Sequence, residues 1–338
     1  MPVRLKDVAA HSGVSIKTAS NVVHDHPHVK ESTRVRVQQA IDELGYRPNL
    51  SARRMRYGKS GFLAVALPRL DLPYFAELAA KISERAGALG QIVLLDATGG
   101  TAESERIVLR GVSSHIIDGV IFSPLALTAE EIAGRTDEVP MVLLGERIVP
   151  EGFDHVAVDS VAAAQAMTEH LLSLGRTRVA AIGRMSATGT HSMRLSGYRQ
   201  ALTAAGLGFD RSLVRAVTDF DREAGRQAMH SLLESEHPPD AVFCFNDLMA
   251  IGALRACREA GVRVPEDVAV GGFDNIAECE FATPALTTIA PDLDVLVDEA
   301  LRLVLARVNG DDQDVEDVAV PWRLIVREST GGSTEVGK

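Results

Sequence analysis

Ile16, Lys17 and Asn21 sit in a short run, Ser15-Ile16-Lys17-Thr18-Ala19-Ser20-Asn21-Val22-Val23. A helix over this run gains an apolar face from Val22 and Val23, which leaves Ile16, Lys17 and Asn21 to point away from it. Ser15 is placed to cap that helix. Just before it, Leu5, Val8 and Ala9 fall at i, i+3 and i+4 and share one face of a first helix. Ala9 is small enough for a second helix to cross closely, and Gly13 supplies a turn conformation that a Cβ resists. Two amphipathic helices around such a turn make a helix-turn-helix, whose second helix enters the major groove of DNA. The chemistry expected of the exposed residues is therefore recognition of a duplex.

The surrounding elements would have to hold that helix in place. Val37, Ile41 and Leu44 recur at i, i+4 and i+7 in a third helix, which Gly45 ends. Next comes Tyr46-Arg47-Pro48-Asn49-Leu50-Ser51-Ala52-Arg53-Arg54-Met55-Arg56-Tyr57-Gly58, where Asn49 can cap a short helix and Gly58 can stop it. So short a helix is marginal alone in water, and Arg53, Arg54 and Arg56 repel one another. It is expected to order when something anionic neutralises it.

Charge is divided along the chain. The whole carries 35 Lys+Arg against 46 Asp+Glu, a net of −11. Residues 1–60 hold 11 basic and 5 acidic residues, a net of +6, which leaves 24 basic against 41 acidic and −17 for the remainder. A basic head seeks phosphate while an acidic body avoids it.

At 338 residues the chain exceeds one ordinary core, so two or three domains are expected. No apolar run approaches the ~18 residues of a membrane span, and the start, Met1-Pro2-Val3-Arg4-Leu5, lacks an apolar signal core. The expectation is a cytoplasmic protein. Cys244, Cys257 and Cys279 have no metal or disulfide spacing and read as reduced structural thiols. There is no Gly-x-Ser-x-Gly, no His-Glu-x-x-His and no Walker phosphate loop. No enzyme activity and no cofactor are expected.

Past Gly61, short apolar strands alternate with helical stretches. Strands are predicted at 62–67, 92–95, 119–122, 141–144, 156–158, 179–182, 213–217, 241–245, 268–271 and 286–289. Helices are predicted near 75–89, 103–116, 160–174, 192–205, 222–235, 247–260 and 292–308. Continuous apolar strands between helices imply parallel sheets covered on both faces. Two such series imply two doubly wound lobes, with ligand in the cleft between them at the carboxyl ends of the strands.

Residues 3–58 resemble the head of the lactose-repressor/galactose-repressor (LacI/GalR) family of bacterial transcription regulators, through the three helices, the connection containing Val29, and Tyr46-Arg47-Pro48-Asn49. The likeness continues through Pro73-Tyr74-Phe75-Ala76-Glu77-Leu78, Val156-Ala157-Val158-Asp159, Arg194-Leu195-Ser196-Gly197-Tyr198, Phe245-Asn246-Asp247, Gly272-Phe273-Asp274-Asn275 and Arg323–Ser329. It implies an all-α helix-turn-helix head (1–47), a hinge helix and linker (48–60), a core of two discontinuous lobes of periplasmic-binding-protein type (61–158 with 290–320, and 159–289 with 321–330), and a polar tail (331–338). It also implies that Ile16, Lys17 and Asn21 read bases, that Ser15, Thr18 and Ser20 touch phosphates or pack, and that Ala52, Arg53 and Met55 belong to the hinge helix. Ala52 and Met55 would enter the minor groove, with Met55 as a wedge where the family usually has Leu. Lys30 stands where the family usually has a small polar cap.

For the effector, Arg194 offers a rigid fork of donors suited to hydroxyls, carboxylate or phosphate. Asp274 and Asn246 follow strands, Phe220 can stack on a pyranose face, and Tyr74 and Phe75 would line the other lobe. The plain alternatives are a salt bridge across the lobes for Arg194, a helix cap for Asp274, and simple core for Tyr74 or Phe75. Leu72, Gly145 and Pro291 stand where relatives often place polar groups. The resemblance implies a repressor that binds a pseudo-palindromic operator as a homodimer and answers to a sugar or glycoside. A purine or other metabolite is the alternative effector, and a solute-binding protein the alternative class.

Overall fold

The structure is a computed structural model that describes residues 3–23, 26–46, 59–110, 116–145, 150–184 and 189–332. The expected hinge segment, with Ala52, Arg53 and Met55, lies outside the described residues. The chain divides into a helical unit, Met1–Gly61, and an α/β unit, Phe62–Lys338.

In the helical unit, α1 (Leu5–His11), α2 (Ile16–Val23) and α3 (Glu31–Leu44) enclose a small core of Val8, Ala9, Ala19, Val22, Val37 and Ala40. The Ser12 hydroxyl closes α1 by donating to the Val8 carbonyl at 2.6 Å. Gly13 makes the turn at φ 65°. Ser15 caps α2, its hydroxyl accepting from the Thr18 amide at 3.1 Å. Lys30 precedes α3 without a side-chain cap bond.

The α/β unit holds two six-stranded sheets. The first has the order β11-β5-β4-β3-β1-β2, from β1 (Phe62–Leu67), β2 (Ile92–Ala97), β3 (Gly119–Phe122), β4 (Met141–Leu144), β5 (Asp154–Val158) and β11 (Asp317–Val320), all parallel. The second has the order β12-β10-β9-β8-β6-β7, from β6 (Val179–Arg184), β7 (Val214–Val217), β8 (Ala241–Cys244), β9 (Ala269–Phe273), β10 (Thr287–Pro291) and β12 (Trp322–Ile325). Only the β10–β12 pair in it is antiparallel.

The apolar run of β1 is explained by burial on both faces. Leu63, Val65 and Leu67 pack with Leu78 and Ile82 of helix Pro73–Ala88 and with Leu296 and Val297 of helix Leu293–Val308. The alternate residues Ala64 and Ala66 pack with Val108, Leu109 and Ile132 on the opposite side.

Three expectations need correction. β2 is an edge strand paired only with β1, and Ile92, Leu94 and Leu95 are 49%, 41% and 47% exposed rather than covered. The helix expected over 103–116 runs Ala102–Leu109 with Arg110 at its end, and 111–115 lie outside the described residues. Two strands were not expected: β11 and β12, of four residues each, follow a polar segment and are split by Pro321, so no apolar run announces them. In addition, β10 keeps Ala290 and Pro291 in the second sheet, so the lobe boundary drawn at 289/290 falls two residues early.

The chain crosses between the sheets three times: after β5, after β10, and between β11 and β12. Asp159 and Asp292 cap the helices that follow the first two crossings, accepting from the Ala162 and Val295 amides at 3.0 and 3.2 Å. The Asp292 amide also donates to the Pro321 carbonyl at 2.9 Å and ties the second crossing to the third.

In the second lobe, helices Arg222–Leu233 and Asp247–Glu259 cross at bare glycines. A Cβ on Gly252 would lie 1.9 Å from the Arg222 carbonyl oxygen, and one on Gly225 would lie 2.2 Å from that of Met249. Backbone cannot yield as a side-chain end can. Gly252→Ala is expected to lower unfolding free energy by about 1–3 kcal/mol despite its helix propensity. Urea denaturation checks this, and an unchanged midpoint would show that the helices move apart freely.

Candidate functional site

Two places carry chemistry. The first is the outer face of α2. Ile16 is 56% exposed, Lys17 is exposed, and Thr18 and Asn21 are half-buried. Ser15 and Thr18 share a hydroxyl hydrogen bond of 2.9 Å at the start of the helix. Ser20 is buried at 2% exposure and faces the small core, so of the two roles it was given, packing fits its position. Acidic groups of the head are engaged internally. Asp7 accepts from the Arg4 amide, Asp42 from Gln38, and Glu43 from Gln39 with His11 beside it at 2.8 Å. The bonds from His11 and Gln39 hold the Glu43 carboxyl below its usual range.

The second place is the cleft between the two sheets of the α/β unit, with about 1370 Å3 of empty space, its open mouth included. Strand ends build it. The loops after β1, β3 and β4 bring Arg69, Leu72, Ser123, Leu125 and Gly145 to one side, and the start of helix Pro73–Ala88 adds Tyr74 and Phe75. On the other side Asp219 and Phe220 follow β7, Asn246 follows β8 and Asp274 follows β9. Arg194 comes from the second turn of helix Thr190–Ala204. Tyr74, Phe75, Arg194, Phe220, Asn246 and Asp274 thus line one cavity.

The two walls differ. The first lobe contributes Leu72, Tyr74, Phe75, Leu78, Leu125 and Leu144, a largely apolar surface. The second lobe contributes Arg194, Asp219, Asn246 and Asp274 beside the apolar Phe220, Leu248, Phe273 and Ile276. Arg194 is 6% exposed; its Nη1 donates to the Phe245 carbonyl and lies 3.8 Å from Asp274 Oδ1. Its guanidinium carbon sits 3.4 Å from the centroid of the Phe273 ring. The ion pair of Arg194 is therefore within its own lobe, not across the cleft. Asn246 is the helix cap: Oδ1 accepts from the Met249 amide at 2.9 Å, and Nδ2 donates to the Phe220 carbonyl at 3.0 Å. That second bond fixes the Phe220 loop against the cleft.

Sequence reasoning missed Arg69 and Asp219. Their side chains approach to 3.9 Å and join the two lobes at the cleft, while Arg69 Nε also donates to Asp71 Oδ1 at 2.9 Å. The Asp71 bond, with Asp219 and Asp221 near, favours the charged guanidinium still further. The only sequence signal is position, since both residues directly follow strands. Among the described residues no group of three or more His, Cys, Asp or Glu is placed to hold a metal ion, and no helix is long and apolar enough to cross a membrane.

Known proteins resemble this arrangement. The family model described as bacterial regulatory proteins, lacI family, matches residues 4–49, and the periplasmic binding protein-like domain matches 168–330. The HTH-type transcriptional regulator DegA of Bacillus subtilis (strain 168) is 34% identical over 337 residues, 98% of each chain. A transcriptional regulator CelR–cellobiose complex is 30% identical with a TM-score of 0.72, over 97% of this chain and 99% of that one. The lac repressor dimer bound to operator and the anti-inducer ONPF is 27% identical with a TM-score of 0.85, over 98% of this chain and 99% of that one.

Proposed function

This chain belongs to the LacI family of DNA-binding transcriptional regulators, and on that premise we propose that it is a homodimeric repressor whose operator affinity is set by a sugar or glycoside in the cleft. The observation that carries the effector reading is that the six expected residues, Tyr74, Phe75, Arg194, Phe220, Asn246 and Asp274, all line one cavity at the strand ends. Phe220 offers a ring to a pyranose face, Asp274 an acceptor to hydroxyls, and Arg194 a positive charge beside them. The CelR relative holding cellobiose supports the same class.

For DNA, Lys17, Asn21 and Ile16 face outward from α2 to read bases in the major groove. Ser15 and Thr18 contact phosphate at the helix start. Arg53 gives the hinge its charge, while Ala52 and Met55 enter the minor groove. Two copies pair through the bare apolar edge of β2 and present two heads to a pseudo-palindromic site. The effector acts by binding the open and the closed cleft unequally, and it shifts operator affinity only by that difference.

Three measurements check this reading. On an operator selected from random duplexes, Lys17→Ala should lose about 1–3 kcal/mol of discrimination at one base position, while its salt slope falls by no more than about one. Unchanged base preference would remove Lys17 from the reading face. Sedimentation should give the mass of a dimer for the wild type and of a monomer for Leu95→Asp. A dimer unaffected by Leu95→Asp would place the interface elsewhere. In a thermal-shift panel of sugars, glycosides, sugar phosphates and purines, a sugar or glycoside at ~100 times its Kd should add about 2.7 kcal/mol. That raises Tm by a few degrees, and Asp274→Asn should abolish the shift. A purine hit alone, or a shift intact in Asp274→Asn, would overturn the carbohydrate assignment.

A further inference from the structure

Asp247 lies directly after the cleft residue Asn246 but does not reach the cleft: it is 0% exposed. Its Oδ1 accepts from the Thr288 hydroxyl at 2.6 Å and its Oδ2 from the Ile276 amide at 3.0 Å. The carboxylate rests on bare backbone, because a Cβ on Gly272 would come within 2.2 Å of Oδ1. Between Gly272 and Ile276 the chain does something costly. Asp274 and Asn275 both take positive φ, 115° and 54°, which L side chains rarely adopt. Such strain persists only where the surroundings over-determine it.

Three buried side chains do so here. Asp247 holds the Ile276 amide from below, and Thr288, itself bound to Asp247, lies 3.4 Å from the Asn275 amide. Arg327, 8% exposed, donates from Nη2 to Asn275 Oδ1 at 2.9 Å and from Nη1 to the Leu286 carbonyl at 2.8 Å. The outcome is that Asp274 presents its carboxylate at the cleft beside Arg194.

We infer that Asp247 is a positioning residue for effector binding, its buried carboxylate holding the strained Asp274–Asn275 backbone so that Asp274 faces the cleft. This rests on the cleft being the effector site, but it is testable in the free protein, so the two can fail separately. The clamp is also sensitive to protonation. Burial pushes the Asp247 carboxyl up to about 6 against its several donors. A carboxylate accepts from an amide more strongly than the neutral acid does, so the loop loosens as pH falls through that value. The sign for the whole fold is opposite. A carboxyl raised above its unfolded value takes up a proton in the folded state first, so it adds global stability on the acid side and withdraws it as pH rises through about 6.

The other titratable groups around Asp247 are Cys244 from β8, Cys279 from helix Glu278–Phe281, Arg327 from the chain end and Asp274 itself. Burial raises both thiols, so they keep their protons between pH 5 and 7.

Amide hydrogen exchange of the full-length protein, read as protection factors on peptides covering 273–278 and, as control, β6 and β8, tests this from pH 5 to 7. Wild type should lose about threefold or more protection in the loop on acidification, while β6 and β8 hold or gain. Asp247→Asn, which keeps the shape and one acceptor, should remove the pH response of the loop while leaving its protection at pH 7 within a few-fold. Thr288→Val should lower loop protection at both pH values. A wild-type loop with no pH response, a response that survives in Asp247→Asn, or a loop that tracks β6 and β8 throughout would each overturn the assignment.

Discussion

Among the described residues the chain passes between the two sheets of the core at three short crossings, and the cleft is built around that constraint. Asp159 and Asp292 start the following helices at fixed points, and the Asp292–Pro321 hydrogen bond holds two of the crossings side by side. A pair of lobes joined in this way has few soft dihedrals through which to move, so relative motion is channelled into opening and closing. The same arrangement brings the carboxyl ends of both sheets face to face. Loops after strands are where a doubly wound sheet can vary without disturbing its core. The cleft and the crossings beneath it are thus two results of one topology.

Charge and polarity are arranged to suit such motion. The second lobe sets Arg194, Asp219, Asn246 and Asp274 among apolar lining residues, and Arg69 of the more apolar first lobe meets Asp219 across the gap at 3.9 Å. Both side chains of that pair are partly exposed, so it contributes modestly by itself. It bridges the two lobes without locking them together. Inside the first lobe, by contrast, Arg307 and the buried Asp154 make a two-point pair at 2.7 and 2.9 Å, with Arg307 also gathering the carbonyls of Asp311, Gln313 and Asp314. Those bonds favour the Asp154 carboxylate more than its desolvation opposes it, and its pKa is lowered. That pair fixes a loop, and nothing about it is poised to change.

Much of this was legible in the sequence because the signals were local. β1, β3, β4 and β8 are apolar runs whose two-sided burial requires just that pattern. The outward face of α2 followed from the place of Val22. What was hidden depends on neighbours distant in the chain. Ile92, Leu94 and Leu95 read as buried because an edge strand and a central one can share a composition. Asn246 lines the cleft as expected, but its bonds to Met249 and Phe220, which make it a helix cap and tie down the Phe220 loop, were not foreseen. Asp247 was visible only as part of the Phe245-Asn246-Asp247 stretch, because the positive-φ residues whose neighbouring amide it binds lie 27 and 28 positions later. Arg69 and Asp219 are distant charges, and only folding brings them together.

The three cysteines of the chain, Cys244, Cys257 and Cys279, are all buried in the second lobe, while the head and the first lobe contain none. Burial pushes the Cys257 thiol up to about 12 and raises the other two as well. A thiolate is the reactive form, so none of the three reacts with an alkylating reagent until the second lobe opens. The chain therefore carries a natural clock for one of its halves. The rate at which its thiols are consumed measures how often that lobe unlocks, and any compound that slows the consumption has stabilised that lobe in particular.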